Sequence, residues 1–187
     1  MGYNNSIYWN GDTSSLWDIN TSPNWQFNGT TGLTYYDTNQ VVFDDTATGN
    51  FAVTLNTLVK PISVTVNSTN SYSLGGSGGI GGGTALNKSG TGLFTLNNAN
   101  TYTGLTTVSA GTLLLTNLNA IPAGNSLNIA TGAVVQPKAA GTYASVTTTL
   151  NGSGTAGGSF GGSLDFHGGN TTTWPGQIIL NLSLIHI

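Results

Sequence analysis

SGTGLFTLNNANTYTGLTTVSAGTLLL, residues 89–115, sets out apolar residues in short alternating bursts and interrupts them with glycine and asparagine. Phe94 and Leu96 stand two apart, as do Thr106 and Val108, and Leu113 and Leu115. Period-two alternation over so few residues marks short strands with one buried face. The pattern continues outward in both directions, through Val53/Leu55, Ile62/Val64/Val66, Tyr72/Leu74, Leu127/Ile129 and Val146/Thr148/Leu150. No stretch sustains a 3.6-residue apolar period, so the sequence predicts essentially no α-helix.

Many short strands suit either an antiparallel sandwich or barrel, or a parallel solenoid. A sandwich calls for longer strands joined by hairpin turns such as Asn-Gly. Asn10-Gly11, Asn28-Gly29 and Asn151-Gly152 are candidates, but none joins two clear alternating runs. Strand pairs instead recur at a loose spacing of roughly 20 residues, the length of one coil in a stacked repeat. The fold expected is therefore all-β, a parallel β-helix of roughly six to eight coils with about 20–25 residues in each. The excess of Asn and Thr fits, because like side chains stack from coil to coil.

Composition narrows the function. Charged residues make up 5% of the chain: three Lys (Lys60, Lys88, Lys138) and six Asp, without Arg or Glu. A net charge of −3 with no basic cluster argues against a nucleic-acid partner, which would require grouped Lys and Arg. Hydrophobic residues reach 37%, enough for a core, so disorder is not expected. There is no cysteine, which removes disulfides, thiolate metal sites and cysteine nucleophiles. Residues 1–6 lack the charged and apolar regions of a signal peptide, so any export signal is expected outside this chain. The longest apolar stretch, residues 178–187, is too short and too broken to cross a bilayer, and membrane insertion by this segment is not expected.

Three stretches divide the chain. Residues 1–50 hold Trp9, Trp17 and Trp25 with Tyr3, Tyr8, Tyr35, Tyr36, Phe27 and Phe43, and read as a cap closing one end of the solenoid. Residues 51–182 read as the coils. Within them LGGSGGIGGG (residues 74–83) is either a flexible excursion or a coil whose backbone passes tightly against its neighbours. Residues 183–187, SLIHI, fit no coil pattern, resemble translated adapter read-through, and are read as a non-native tail.

The opening stretch resembles the autotransporter-associated β-strand repeat, also called the passenger-associated transport repeat. That pattern runs G-T-G-x-L-x-L, then N-x-Y-x-G, then T-x-V-x-x-G-x-L. Gly90, Thr91, Gly92, Phe94, Leu96, Asn100, Tyr102, Gly104, Thr106, Val108, Gly111 and Leu113 hold those positions, with Phe94 in place of the usual aliphatic. Tyr8 to Gly11, Trp17-Asp18, Asn24-Trp25 and Val41 to Asp44 resemble the lead-in to such repeats, and residues 151–162 the start of a further coil. The resemblance implies a right-handed parallel β-helix in the passenger of a bacterial surface protein, whose folding outside the cell helps draw the passenger across the outer membrane. The partners it implies are further coils and a translocator barrel elsewhere in the same polypeptide.

Enzymes with this architecture cleave polysaccharides, so catalysis has to be weighed. Hydrolysis of a glycan needs two carboxylates about 5–9.5 Å apart across one sugar. Asp37, Asp44 and Asp45 are candidates, but adjacent strand residues point to opposite faces, and capping of turn amides accounts for these positions better. Asp165 and His167 lie on one side of a strand without a nucleophile in a G-x-S-x-G setting. The glycine run lacks the Asp of a calcium-binding nonapeptide. Thr147–Thr149 and Thr171–Thr173 do not recur in register as an ice-binding ladder would. Catalytic residues, cofactors and metals are accordingly not expected. Trp9, Trp17 and Trp25, with Asp44 and Asp45, remain candidate contacts to surface glycans, against a reading in which the rings pack inside the cap. The functional expectation is a non-catalytic passenger or stalk segment, extracellular or at the cell surface, assisting export and adhesion. A carbohydrate-binding or carbohydrate-degrading β-helix is the alternative.

Overall fold

The computed structural model describes residues 6–151, 163–166 and 171–181. Among them every regular element is a strand. The first sheet stacks eight parallel strands: β1 (Ser6–Trp9), β4 (Gln40–Asp44), β7 (Ser63–Asn67), β10 (Ala85–Lys88), β12 (Thr106–Val108), β14 (Ser126–Ile129), β17 (Thr147–Asn151) and β20 (Ile178–Asn181). The second stacks β5 (Ala52–Thr54), β8 (Tyr72–Gly75), β11 (Leu93–Leu96), β13 (Thr112–Leu115), β15 (Val134–Pro137) and β18 (Ser163–Leu164). Two short parallel pairs, β6 (Leu58–Val59) with β9 (Gly79–Ile80) and β16 (Gly141–Thr142) with β19 (Thr172–Thr173), brace corners. The chain is a parallel β-solenoid, as the alternation predicts.

The pleat sets the ladders. Val41, Val64, Leu86, Thr106, Leu127 and Thr148 are successive register partners, and all face the core. Val53, Leu74, Leu96 and Leu115 form one matching ladder in the second sheet, and Tyr72, Phe94, Leu113 and Val135 the other. Alternate residues point outward, giving the first sheet an exterior row of Thr65, Asn87, Thr107, Asn128 and Thr149. Ile62 departs from the expected alternation: it precedes β7, where the chain rounds a corner after Pro61, and is 54% exposed.

Five consecutive turns, from β4 to β17, keep a pitch of 19 to 23 residues by register. The turns at either end are wider, with Ile7 34 residues before Val41 and Thr148 30 before Ile178. The regular coils are therefore fewer than the six to eight expected, because the first turn spends its residues on a cap. In it, β2 (Trp25–Phe27) pairs antiparallel with β1 and with β3 (Thr30–Leu33), covering the edge β1 would otherwise leave open. Asn28 and Gly29, both at positive φ, form the tight turn of this hairpin. The Asn-Gly pair thus makes a hairpin after all, in the cap.

The glycine run resolves as a tight coil. A Cβ on Gly76, Gly78 or Gly79 would fall 2.1 to 2.3 Å from a backbone oxygen of Leu55, Thr57 or Ala99. These positions take no side chain because neighbouring coils occupy the space. The stretches 1–5, 152–162, 167–170 and 182–187 lie outside the described residues, and with them His167, most of the further coil expected at 151–162, and the expected non-native tail.

Candidate functional site

The aromatic end is a packed plug. Trp9 closes β1, Trp25 opens β2, Trp17 lies in the connection between them, and Phe43 comes from β4. The rings meet edge to face: Trp9 and Trp25 have centroids 5.1 Å apart at 82°, and Trp17 stands 5.4 Å from Tyr35 at 83°. All three tryptophans have no exposed surface. Trp9 Nε1 donates to the carbonyl of Asn50 at 2.7 Å. The Trp17 and Trp25 N–H groups have no hydrogen-bond partner, and both rings sit edge-on to aromatic neighbours. Stacking on a sugar requires an aromatic face open to solvent, and here every face is covered by the cap.

The aspartates beside the plug hold turns. Asp44 accepts from the amide and hydroxyl of Thr46, at 2.9 and 2.6 Å. Asp45 reaches across to the following coil, where it accepts from the Ser68 hydroxyl, from the Thr69 amide at 2.9 Å and hydroxyl at 3.1 Å, and from the Asn70 side chain at 3.2 Å. These donors, Ser68 foremost, hold its carboxyl below the usual carboxylate range. Asp37 accepts from the Tyr35 hydroxyl at 2.9 Å and the Lys60 amide at 2.7 Å. Burial, and then this carboxylate, push the Tyr35 hydroxyl far above its ordinary range. Asp44 and Asp45 thus serve different turns and do not converge on a shared space. Asp165 accepts from Gln136 Nε2 at 2.8 Å, and its sequence neighbour His167 lies outside the described residues.

The coil spanning 86–115 is where side chains tie successive turns together. Asn98 is buried and donates to the carbonyls of Gly76 at 3.2 Å and Gly78 at 2.9 Å, one coil earlier. Asn100, also buried, accepts from the Ile80 amide at 2.8 Å on that side and donates to the Ala120 carbonyl at 2.8 Å on the other. Its carboxamide is the right group because it offers one acceptor and one donor at opposite corners of a rigid plane. The Tyr102 hydroxyl meets Thr106 Oγ1 at 2.8 Å, which satisfies a threonine that stands inward between Leu86 and Leu127. Burial raises the Tyr102 hydroxyl well above its ordinary range, so it stays a neutral hydrogen-bonding group. Gly90, Gly92 and Gly104 lie where a Cβ would come within 2.1 to 2.3 Å of backbone atoms of Ser68, Asn70 and Thr84.

Residues 86–115 match the family model of the passenger-associated transport repeat. The chain carries one such repeat. Its geometry explains the pattern. The glycines mark contact of backbone on backbone, the alternating apolar pairs feed the two core ladders, the Asn position fastens one coil to the next, and the Tyr hydroxyl satisfies the inward Thr106 of its own coil. No curated protein and no solved structure matches the chain. A β-solenoid built around this repeat fits an autotransporter passenger segment, a family whose members are surface-displayed or secreted.

Alongside the repeat runs a groove of about 470 Å³, between Thr101 and Thr103 on one coil and Asn119 and Pro122 on the next. Its walls carry no carboxylate, and the ring of Tyr102 beneath it is buried. Among the described residues, no three His, Cys, Asp or Glu side chains gather to hold a metal ion. Among the described residues no helix is long and apolar enough to cross a membrane. Sequence reasoning missed Lys88, which stands inward at 1% exposure, and it did not foresee Asn98 as a clamp. For Lys88 a signal existed: it falls in phase with Leu86, which places it on the core face.

Proposed function

We propose that this chain is a non-catalytic stretch of the rod in an exported bacterial passenger, displayed at the cell surface, where its folding assists export and its length carries an adhesive part of the same polypeptide outward. The observation that carries this reading is the repeat at 86–115, whose Asn100 bonds to the coils on both sides and whose Gly90, Gly92 and Gly104 let backbone pack on backbone. The non-catalytic reading is supported by the placement of the aspartates, each of Asp37, Asp44 and Asp45 accepting bonds within turns. Two inward positions of β20, Ile178 and Leu180, are 45% and 58% exposed. They continue the core ladders through Thr148 and Leu150, and a further coil of the passenger would cover them.

The test is a transplant. Residues 6–181 replace an equal length of coils in the passenger of a bacterial autotransporter, and surface-exposed passenger is scored by protease accessibility on intact cells. Display at the level of the unmodified passenger is expected, with a sharp fall for Val108→Asp, which buries an unpaired charge. Failure of the wild-type segment to reach the surface, or equal display of the Val108→Asp variant, would overturn the export role.

A further inference from the structure

Lys88 occupies an inward position of β10, where a hydrocarbon side chain would be expected. Its register partners on either side are Val66, reached through β7, and Val108. The side chain is 1% exposed. Its Nζ donates to the carbonyl oxygen of Gly90 and, at 3.1 Å, to that of Ala110, carbonyls of successive coils. The niche depends on the missing side chain of Gly111, where a Cβ would stand 2.8 Å from Nζ.

None of the elements around this amine supplies a counter-charge. Strands β7 and β12, turns 89–92 and 109–111, and strands β11 and β13 of the second sheet contain no titratable side chain. In the layers stacked beyond them the titratable groups are Asp44, whose carboxylate accepts from Thr46, Asp45, whose carboxylate is committed to residues 68–70, and Tyr72, whose hydroxyl donates to the Asp44 carbonyl.

We propose that Lys88 is a proton-operated latch in the repeat coil: its ammonium form is a dehydrated charge held by two carbonyl oxygens of successive turns, and loss of that proton removes the cost of burying the charge and stabilises the fold. Carbonyl dipoles stabilise a buried ammonium but do not replace its water shell or a carboxylate partner. Burial accordingly pulls the amine down to about 8. A folded-state value below the unfolded one, about 10.4, means that protons favour the unfolded chain. The destabilisation is complete below about pH 8 and is relieved as pH rises toward the unfolded value. The buried tyrosines act in the opposite sense above about pH 10, so the latch is read below that.

The experiment follows the unfolding of the full chain in urea at pH 7.0 and pH 9.5, for wild type and Lys88→Met. The wild-type folding equilibrium constant is expected to increase on the order of tenfold between these pH values. Lys88→Met, which keeps the stem and loses the charge, is expected to show no such increase. A flat wild-type profile, or an equal increase in both proteins, would overturn the latch. If the methionine variant does not fold, Lys88→Gln gives the same comparison, and a flat wild-type profile remains decisive alone.

Discussion

Replacing Asn100 with alanine removes an acceptor and a donor that act on opposite coils. The Ile80 amide loses its acceptor and the Ala120 carbonyl its donor. Both residues are fully buried, Ile80 at 1% and Ala120 at 0% exposure, so water cannot substitute. A buried polar group left unsatisfied costs about 1–3 kcal/mol, which sets the combined loss at about 2–6 kcal/mol with a centre near 4. For a chain of this size that lowers the midpoint of thermal unfolding by roughly 8–16 °C. Asn100→Asp separates donor from acceptor. The carboxylate still accepts from Ile80 but sets a negative charge against the Ala120 carbonyl, so at pH 7 it should be at least as damaging as alanine. Crowding by that oxygen raises the carboxyl's folded-state pKa, so stability should be present at low pH, where the group is protonated and can donate, and be lost as pH rises. The assay is far-UV circular dichroism against temperature and urea at pH 4 and pH 7. A loss below about 0.5 kcal/mol for the alanine variant, or wild-type stability for the aspartate variant at pH 7, would refute the clamp.

Gly104→Ala should destabilise strongly, since its Cβ would lie 2.3 Å from the Thr84 carbonyl oxygen, whereas Gly83→Ala, facing open space, should change stability by less than about 1 kcal/mol in thermal melts. Asp45 has a depressed folded-state pKa, so its contribution is present above the unfolded value near 3.9 and disappears as pH falls through the folded one. Asp45→Asn should therefore flatten the acid limb of the stability profile relative to Asp44→Asn. In the plug, Trp9→Phe breaks the bond to the Asn50 carbonyl while Trp25→Phe removes an N–H that has no partner. Urea unfolding should show Trp9→Phe as the costlier change by about 1–3 kcal/mol.

The solenoid was legible because period-two alternation is local. Val64, Leu86 and Leu127 announce an inward face without knowledge of their partners, and the recurrence near 20 residues supplies the stacking. Ile62 shows the limit, because a residue one position outside its strand keeps the phase in the sequence but not the direction in space. Asp45 read correctly as a turn residue, yet its partners, like those of Asn98 and Asn100, lie 20 or more residues away and arise only when coils stack. The Trp-rich end read as a cap, and burial of its rings followed from that reading. The Asn28-Gly29 hairpin did not, because β2 and β3 alternate too weakly to be seen as strands. Lys88 was hidden by its chemistry, since an amine is ordinarily assigned to solvent and its niche is made by Gly90, Ala110 and Gly111 from two different coils.

The solenoid rests on the parallel register of successive coils, and a chain without native cysteine allows that register to be read directly by disulfide formation. Asn87 and Thr107 are outward register partners on β10 and β12, and Asn128 lies one strand further on β14. Adjacent strands are about 4.8 Å apart, within disulfide reach, while the next strand stands at about twice that distance, beyond it. Oxidation of the Asn87→Cys/Thr107→Cys variant should give the cross-link in nearly all molecules, and Asn87→Cys/Asn128→Cys should remain reduced. Cross-linking of the second pair as readily as the first, or of neither, would contradict the stacked solenoid.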